Sequence, residues 1–163
     1  QQSLTAQFEA ALSMLHQCIA ACPPDHWDAK IANGPFRWVA YHTLFFTDLY
    51  LSQSNDAFEL RELHHRVGDE RKDRPCLGLE QHDALDYVIV CREKVRIALA
   101  NETPESLVGP SGFSWYKITR GELHLVNLRH IQHHTGQLSA YLRKANPTLA
   151  DHKSLPWVRS GWQ

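Results

Sequence analysis

The sequence is short of most features that would place it in a specialised class. Cysteine is sparse: Cys18, Cys22, Cys76 and Cys91 in 163 residues. That is thin for a disulfide scaffold of this size, so free thiols and the cytosol are the expectation. Charge of one sign is also lacking. The net charge is -1, so no basic field advertises nucleic acid or an anionic membrane. No apolar run is long enough to span a bilayer, and no signal-peptide pattern is visible. The chain opens at Gln1 rather than Met, as a processed or trimmed start would. Internal repeats and low-complexity tracts are missing too. Hydrophobic content of 43% and charged content of 21% lie in the globular range. The length suits one domain, 1–163, with a single sizeable core.

The unusual abundance is histidine, with eleven residues. The most informative stretch is Thr119 to Lys144, T-R-G-E-L-H-L-V-N-L-R-H-I-Q-H-H-T-G-Q-L-S-A-Y-L-R-K. Thr119 and Glu122 have capping-box spacing, and Asn146 and Pro147 stop the helix they start. Inside it His130 and His134 lie one turn apart, about 6 Å along the axis and roughly 40° in direction. They point the same way, which is how one helix offers two imidazoles to one ion. Tyr141 and Leu123 share that direction and Asn127 lies beside it. Gly136, at about 1 kcal/mol relative to Ala in mid-helix, is expected where a neighbouring helix or a ligand comes close.

Three further helices precede this one. Residues 3–22 carry Leu4, Phe8, Ala11, Leu12, Leu15 and Ile19 at helical period, and Pro23 and Pro24 end the run. Cys18 and Cys22 read as small core residues of this helix. A polar connector runs to Asn33. Gly34 and Pro35 then start a second helix, with Pro at the first helical position, reaching about Gln53. Trp38, Val39, His42, Phe45, Phe46 and Leu49 share one face, where His42 is the ionisable residue in the middle. Residues 54–79 lose periodicity and read as a charged crossover linker, with one or two helical turns possible between Ala57 and His65; His64 and His65 are expected in solvent. The third helix spans about Glu80 to Ala100 on a stripe of Leu85, Val88, Ile89, Val95 and Leu99. For the connector 101–118 a plain loop is preferred over a small hairpin between Val108 and Phe113, with Trp115 and Tyr116 as loop anchors rather than substrate contacts. The tail from Asp151 to 163, with Trp157 and Trp162, is expected to pack on the bundle or on a partner. Four amphipathic helices, one long crossover between the second and third, and no convincing sheet give an all-α four-helix bundle.

In such a bundle His42 can meet the His130/His134 pair. Three neutral imidazoles make a facial set for a divalent ion, with a position left for water. Nitrogen ligands suit zinc, nickel, copper or iron. The competing reading is three ordinary core or surface histidines, and the solitary His42 on an apolar face weighs against it. His133 is turned about 100° from His134, which gives it a rim position or a role as a nearby base. His124 points elsewhere and reads as structural. Asn127 is either a support for the ligands or a buried amide, and Gln137 and Tyr141 lie further along the ligand face, where they can hold a water or substrate. His133 and Tyr141 are the candidates for moving a proton.

The string R-H-I-Q-H-H-T-G-Q-L resembles the fourth-helix signature of the DinB/YfiT-like family, His-x-x-His-His-x-Gly-Gln-Leu. R-W-V-A-Y-H, ending at His42, resembles that family's second-helix motif. The resemblance covers the helical order, the long crossover and most of the chain. It implies a four-helix bundle with a three-His divalent site carried here by His42, His130 and His134, and often a homodimer. Members with an assigned activity are mostly thiol-dependent transferases or isomerases. One departure is Thr135, where many members carry Arg. The expected function is therefore a metal-dependent enzyme that transfers a low-molecular-weight thiol to a small electrophile. The alternatives are a metal-dependent hydrolase, a non-enzymatic metal-binding stress-response protein, and a helical interaction module without metal. Leu125 and Leu128, directed away from the ligands, are the expected dimer surface.

Overall fold

The computed structural model describes residues 1–31, 34–72, 78–149 and 155–163. In chain order the elements are α1 (Gln2–Ala20), β1 (Lys30–Ile31), β2 (Gly34–Pro35), α2 (Phe36–Leu51), α3 (Glu62–Val67), α4 (Gln81–Ala100), α5 (Pro104–Val108) and α6 (Arg120–Ala145). α1, α2, α4 and α6 are the four long helices expected from the apolar stripes. α1 packs on α4 and α6, and α2 packs on the same two, so α1 and α2 occupy opposite corners of the bundle. No helix is long and apolar enough to cross a membrane.

α2 is the central element. Apart from Arg37, His42 and Phe46, all of its residues are buried, which an apolar stripe alone does not require. Its polar residues are satisfied locally. Thr43 Oγ1 donates to the Val39 carbonyl at 2.6 Å and Thr47 Oγ1 to the Thr43 carbonyl at 2.7 Å, the back-bonding that lets threonine sit in a dry helix. Asp48, fully buried, accepts from Lys94 Nζ at 2.5 Å, Arg61 Nε at 3.0 Å and the Tyr87 hydroxyl at 3.0 Å. Burial alone would raise its pKa, but the bonds and charges of Arg61 and Lys94 outweigh it and hold the carboxyl low.

Pro35 is not the first helical residue of α2. Gly34 and Pro35 pair with Lys30 and Ile31 in a two-residue antiparallel ladder, and Pro35 is extended, with ψ 157°. The first N–H groups of α2 are spent on that approach: Phe36 N donates to Ala29 O at 2.9 Å and Arg37 N to Trp27 O at 3.0 Å. Glycine is needed at 34, because an added Cβ would lie 2.4 Å from the Trp38 ring.

The far end of α2 decides where the site forms. The last carbonyls of a helix lack partners within it. Here the buried Arg120 guanidinium, at the start of α6, takes them, donating to Tyr50 O at 3.0 Å, Leu51 O at 3.2 Å and Ser52 O at 2.8 Å. Its Nε donates to Glu102 at 2.8 Å. The start of α6 is thereby fixed to the end of α2, and the two helices run antiparallel. His130 lies about 15 Å down α6 from this clamp and His42 about 14 Å back along α2. The two imidazoles meet at one level for that reason.

Several expectations are corrected. The helical turn in the 54–79 linker is α3, further along than Ala57 to His65. His64 is buried there, not solvated; its Nδ1 accepts from Arg61 N at 3.0 Å and its Nε2 meets the Tyr87 hydroxyl at 2.7 Å. His65 is exposed as expected. The 101–118 connector is more than a plain loop. Thr103 caps α5, with Pro104 in its first turn, and a bridge joins Pro110 to Thr119. Gly112, at φ 87°, lies so close to the end of α2 that an added Cβ would sit 1.9 Å from Gln53 O. Gly136 faces open space with nothing near an added Cβ, so no close approach accounts for it. Leu128 packs against the core while Leu125 stays 54% exposed. Trp162 packs on the bundle, against His16 and Arg92, but Trp157 is 71% exposed. Cys18, Cys22 and Cys91 are free and buried. Cys76 and tail residues 151–154 lie outside the described residues.

Candidate metal centre

α2 supplies His42, and α6 supplies His130 and His134 one turn apart, as their spacing predicts. One ring nitrogen from each lies within 4.8 Å of the other two; among the described residues no other group of three His, Cys, Asp or Glu does this. The ring centroids are 5.1 Å apart for His42 and His130, 5.0 Å for His42 and His134, and 4.6 Å for His130 and His134.

Their outer hydrogen bonds fix which nitrogens face inward. His42 Nδ1 lies 2.9 Å from Glu70 Oε1. A carboxylate can only accept here, so Nδ1 carries the proton and Nε2 presents its lone pair. His134 Nδ1 lies 2.8 Å from Gln137 Oε1, which leaves its Nε2 free in the same way. The Nε2 atoms of His42 and His130 stand 3.2 Å apart. Two nitrogens each about 2.05 Å from a tetrahedral ion would be about 3.3 Å apart. Two lone pairs at that separation repel unless a proton or a cation lies between them.

Electrostatics push the same way. Burial, then the neighbouring His134, His42 and His133, lowers the His130 pKa to about 3. Burial also lowers His134 to about 4, against the opposing effect of the hydrogen bond that its Nδ1–H donates to Gln137. Both rings are neutral at pH 7, the form a metal requires. Among the described residues His130 Nδ1 is buried without a partner, and His130 is the one member of the three without an outer anchor there. The residues present fit a divalent ion on nitrogen ligands.

Glu70 escaped the sequence reading. It lies in the linker, within a run of mixed charges that periodicity cannot place. The structure buries it and aims it at His42, where it also accepts from Trp38 Nε1 at 3.0 and 3.3 Å. Trp38 and His42 are one turn apart on α2, so a single carboxylate bonds to both. That gives the Trp-x-x-x-His spacing a physical meaning: the indole N–H holds the carboxylate that orients the imidazole.

A profile of the DinB superfamily matches residues 7–138. The chain belongs to the DinB superfamily. Comparison with curated proteins and with solved structures returned no match.

The remaining sequence candidates divide into near and far. His133 is exposed and reaches the set through Gln137, whose Nε2 is 3.2 Å from His133 Nε2. Gln137 thus bridges His133 and His134. Tyr141 lies about 10 Å beyond His134 along α6. Its hydroxyl is 2.5 Å from His26 Nδ1 and its ring packs on Phe36, both outside the three-His cluster. Asn127 is a buried amide that ties α6 to α2, donating to Thr47 O at 3.2 Å. His124 is structural, with Nε2 2.9 Å from Glu102. Thr135, at the family's frequent Arg position, is buried.

Proposed function

We propose that this DinB superfamily protein is a metal-dependent transferase that moves a low-molecular-weight thiol onto a small electrophile. A divalent ion held by His42, His130 and His134 would raise the acidity of a bound thiol enough to make a nucleophile near neutral pH. One observation carries the choice of thiol over water. Glu70 is the carboxylate in contact with the ligand set among the described residues, and it is committed to His42 and Trp38. Hydrolysis through a metal-bound water usually employs a free carboxylate as base. A thiol, already far more acidic than water, does not need one.

The chain's own residues then have separable tasks. Glu70 and Gln137 orient His42 and His134. Phe46, against His42 at 4.8 Å and His130 at 6.0 Å between centroids, keeps water from that side of the rings. His133, exposed and joined to the set through Gln137, passes the thiol proton to solvent. The sulfur lone pair forms the new carbon–sulfur bond, and the leaving group departs with the electrons of the bond that breaks. Among the described residues, the cysteines are poor candidates for the nucleophile. Burial pushes Cys18 and Cys22 up to about 12 and raises Cys91 well above the usual thiol range.

The test is a panel of thiols and electrophiles alongside a hydrolase panel, run with metal-loaded and chelated protein. Metal-dependent thiol consumption, abolished in His134→Ala, is the expected result. Metal-dependent turnover confined to the hydrolase panel would replace this reading with hydrolysis. Silence in both would leave a binding or sensory site.

A further inference from the structure

After Arg37, the two positions of α2 that are not buried are His42 and Phe46, one turn apart. The first is a metal-ligand candidate. The second is a large apolar ring left partly uncovered beside it. Phe46 lines a pocket of about 570 Å³ together with Asn55, Glu70, Arg71, Lys72 and Trp115, a volume suited to a small organic ligand. The pocket shares Phe46 and Glu70 with the surroundings of His42.

Trp115 is the other uncovered aromatic here. It is 50% exposed, yet it is seated: its ring centroid is 5.3 Å from Phe113, which lies edge-on to Tyr50 at 5.5 Å. Phe113 is buried, and Gly112 presses the same loop against the end of α2. The loop therefore presents the indole without burying it.

Two of the pocket's three charged residues, Arg71 and Glu70, are already committed. Arg71 donates to both oxygens of Asp69, at 2.9 and 2.8 Å, and to Asn55 Oδ1 at 3.1 Å. Glu70 serves His42 and Trp38. Lys72 lies at the rim, 3.8 Å from Asp69 and largely exposed. What the pocket still offers is aromatic surface, and rings of this kind take planar apolar groups by stacking or edge contact.

We propose that this pocket binds a flat, aromatic portion of the electrophile, so that aromatic acceptors are selected over short aliphatic ones. The inference rests on reading His42, His130 and His134 as a metal centre and names the substrate class for that centre.

Equilibrium binding tests it without turnover. The protein is loaded with cobalt(II), and benzohydroxamate and acetohydroxamate are titrated against the visible cobalt bands. Both probes carry the same metal-binding group, and only one carries a ring. Wild type is expected to bind benzohydroxamate at least about tenfold more tightly, an advantage of the size aromatic contacts provide. Trp115→Ala and Phe46→Leu should each reduce that advantage to about threefold or less, and Trp115→Ala should leave acetohydroxamate binding unchanged. Circular dichroism and cobalt stoichiometry check that both variants are folded and loaded. Equal affinities in wild type, or an advantage that survives both substitutions, would overturn the aromatic pocket alone. Failure to take up cobalt in the three-His site would overturn the metal centre and this inference with it.

Discussion

At the scale of single residues, the three-His cluster was legible because it depends on helical arithmetic. His130 and His134 share a direction by spacing alone, and His42 stands out as the lone imidazole on an apolar face. Glu70 was not legible, because its position depends on how an aperiodic linker returns to α2. The two kinds of residue predict different losses. If these residues hold the proposed ion, alanine at His42, His130 or His134 would remove one of its bonds, and metal affinity measured by calorimetry should fall by more than about tenfold. Glu70→Ala should cost a similar factor through misorientation of His42, whereas His124→Ala should leave metal content unchanged. Unaltered affinity in Glu70→Ala would remove its orienting role. Gly136 offers the opposite kind of test. It is exposed in mid-helix with free space around it, so Gly136→Ala should stabilise the protein by about 1 kcal/mol in urea unfolding. No gain, or a loss, would point to a partner at that surface.

Among the elements, helix identity followed from periodicity, and Thr119 caps α6 as read, accepting from Glu122 N at 3.1 Å. Periodicity said nothing about how α2 and α6 are set against each other. That is done by Arg120, which appears in sequence only as a charged residue near a helix start. Its burial is tolerable because Glu102 and three carbonyls satisfy it. Replacing it with methionine keeps much of the apolar volume but leaves the α2 carbonyls unpaired. Arg120→Met should destabilise the protein by about 3 kcal/mol, the scale for breaking a buried pair. It should also weaken metal binding, although the side chain lies about 15 Å along α6 from His130. Loss of stability with metal affinity intact would show that the register of the ligands is set elsewhere. The short ladder before α2, by contrast, was hidden because Gly34–Pro35 is also a sound helix start, and tertiary hydrogen bonds chose the strand.

For the whole molecule, the corners of the bundle are joined by buried polar relays whose protonation links stability to pH. In one, Arg61 N–H donates to His64 Nδ1, so His64 Nε2 carries the proton and donates to Tyr87, whose hydroxyl donates to Asp48. A second proton on His64 would face the Arg61 N–H. Burial, the largest effect, lowers His64 to about 4, while the unfolded value is near 6.5. The folded state therefore refuses a proton that the unfolded chain accepts, and stability falls as pH drops from about 6.5 to about 4. The second relay works lower. Burial alone would raise Glu102, but hydrogen bonds from Ser106, Arg120 and His124 outweigh it and hold the carboxyl at about 2. Its contribution is present above about 4.5, the ordinary range of a glutamate, and is lost as pH falls toward 2. Urea midpoints of chelated protein across pH 7 to 3 separate the two relays. His64→Leu should reduce the loss between pH 6.5 and 4, to which His130 and His134 also contribute, and Glu102→Gln should reduce it below about 4.5. Each variant starts less stable at pH 7, so the readout is the slope and not the midpoint itself. A His64→Leu slope parallel to wild type through the upper window would show that this imidazole titrates normally in the folded state and that the relay does not hold it neutral.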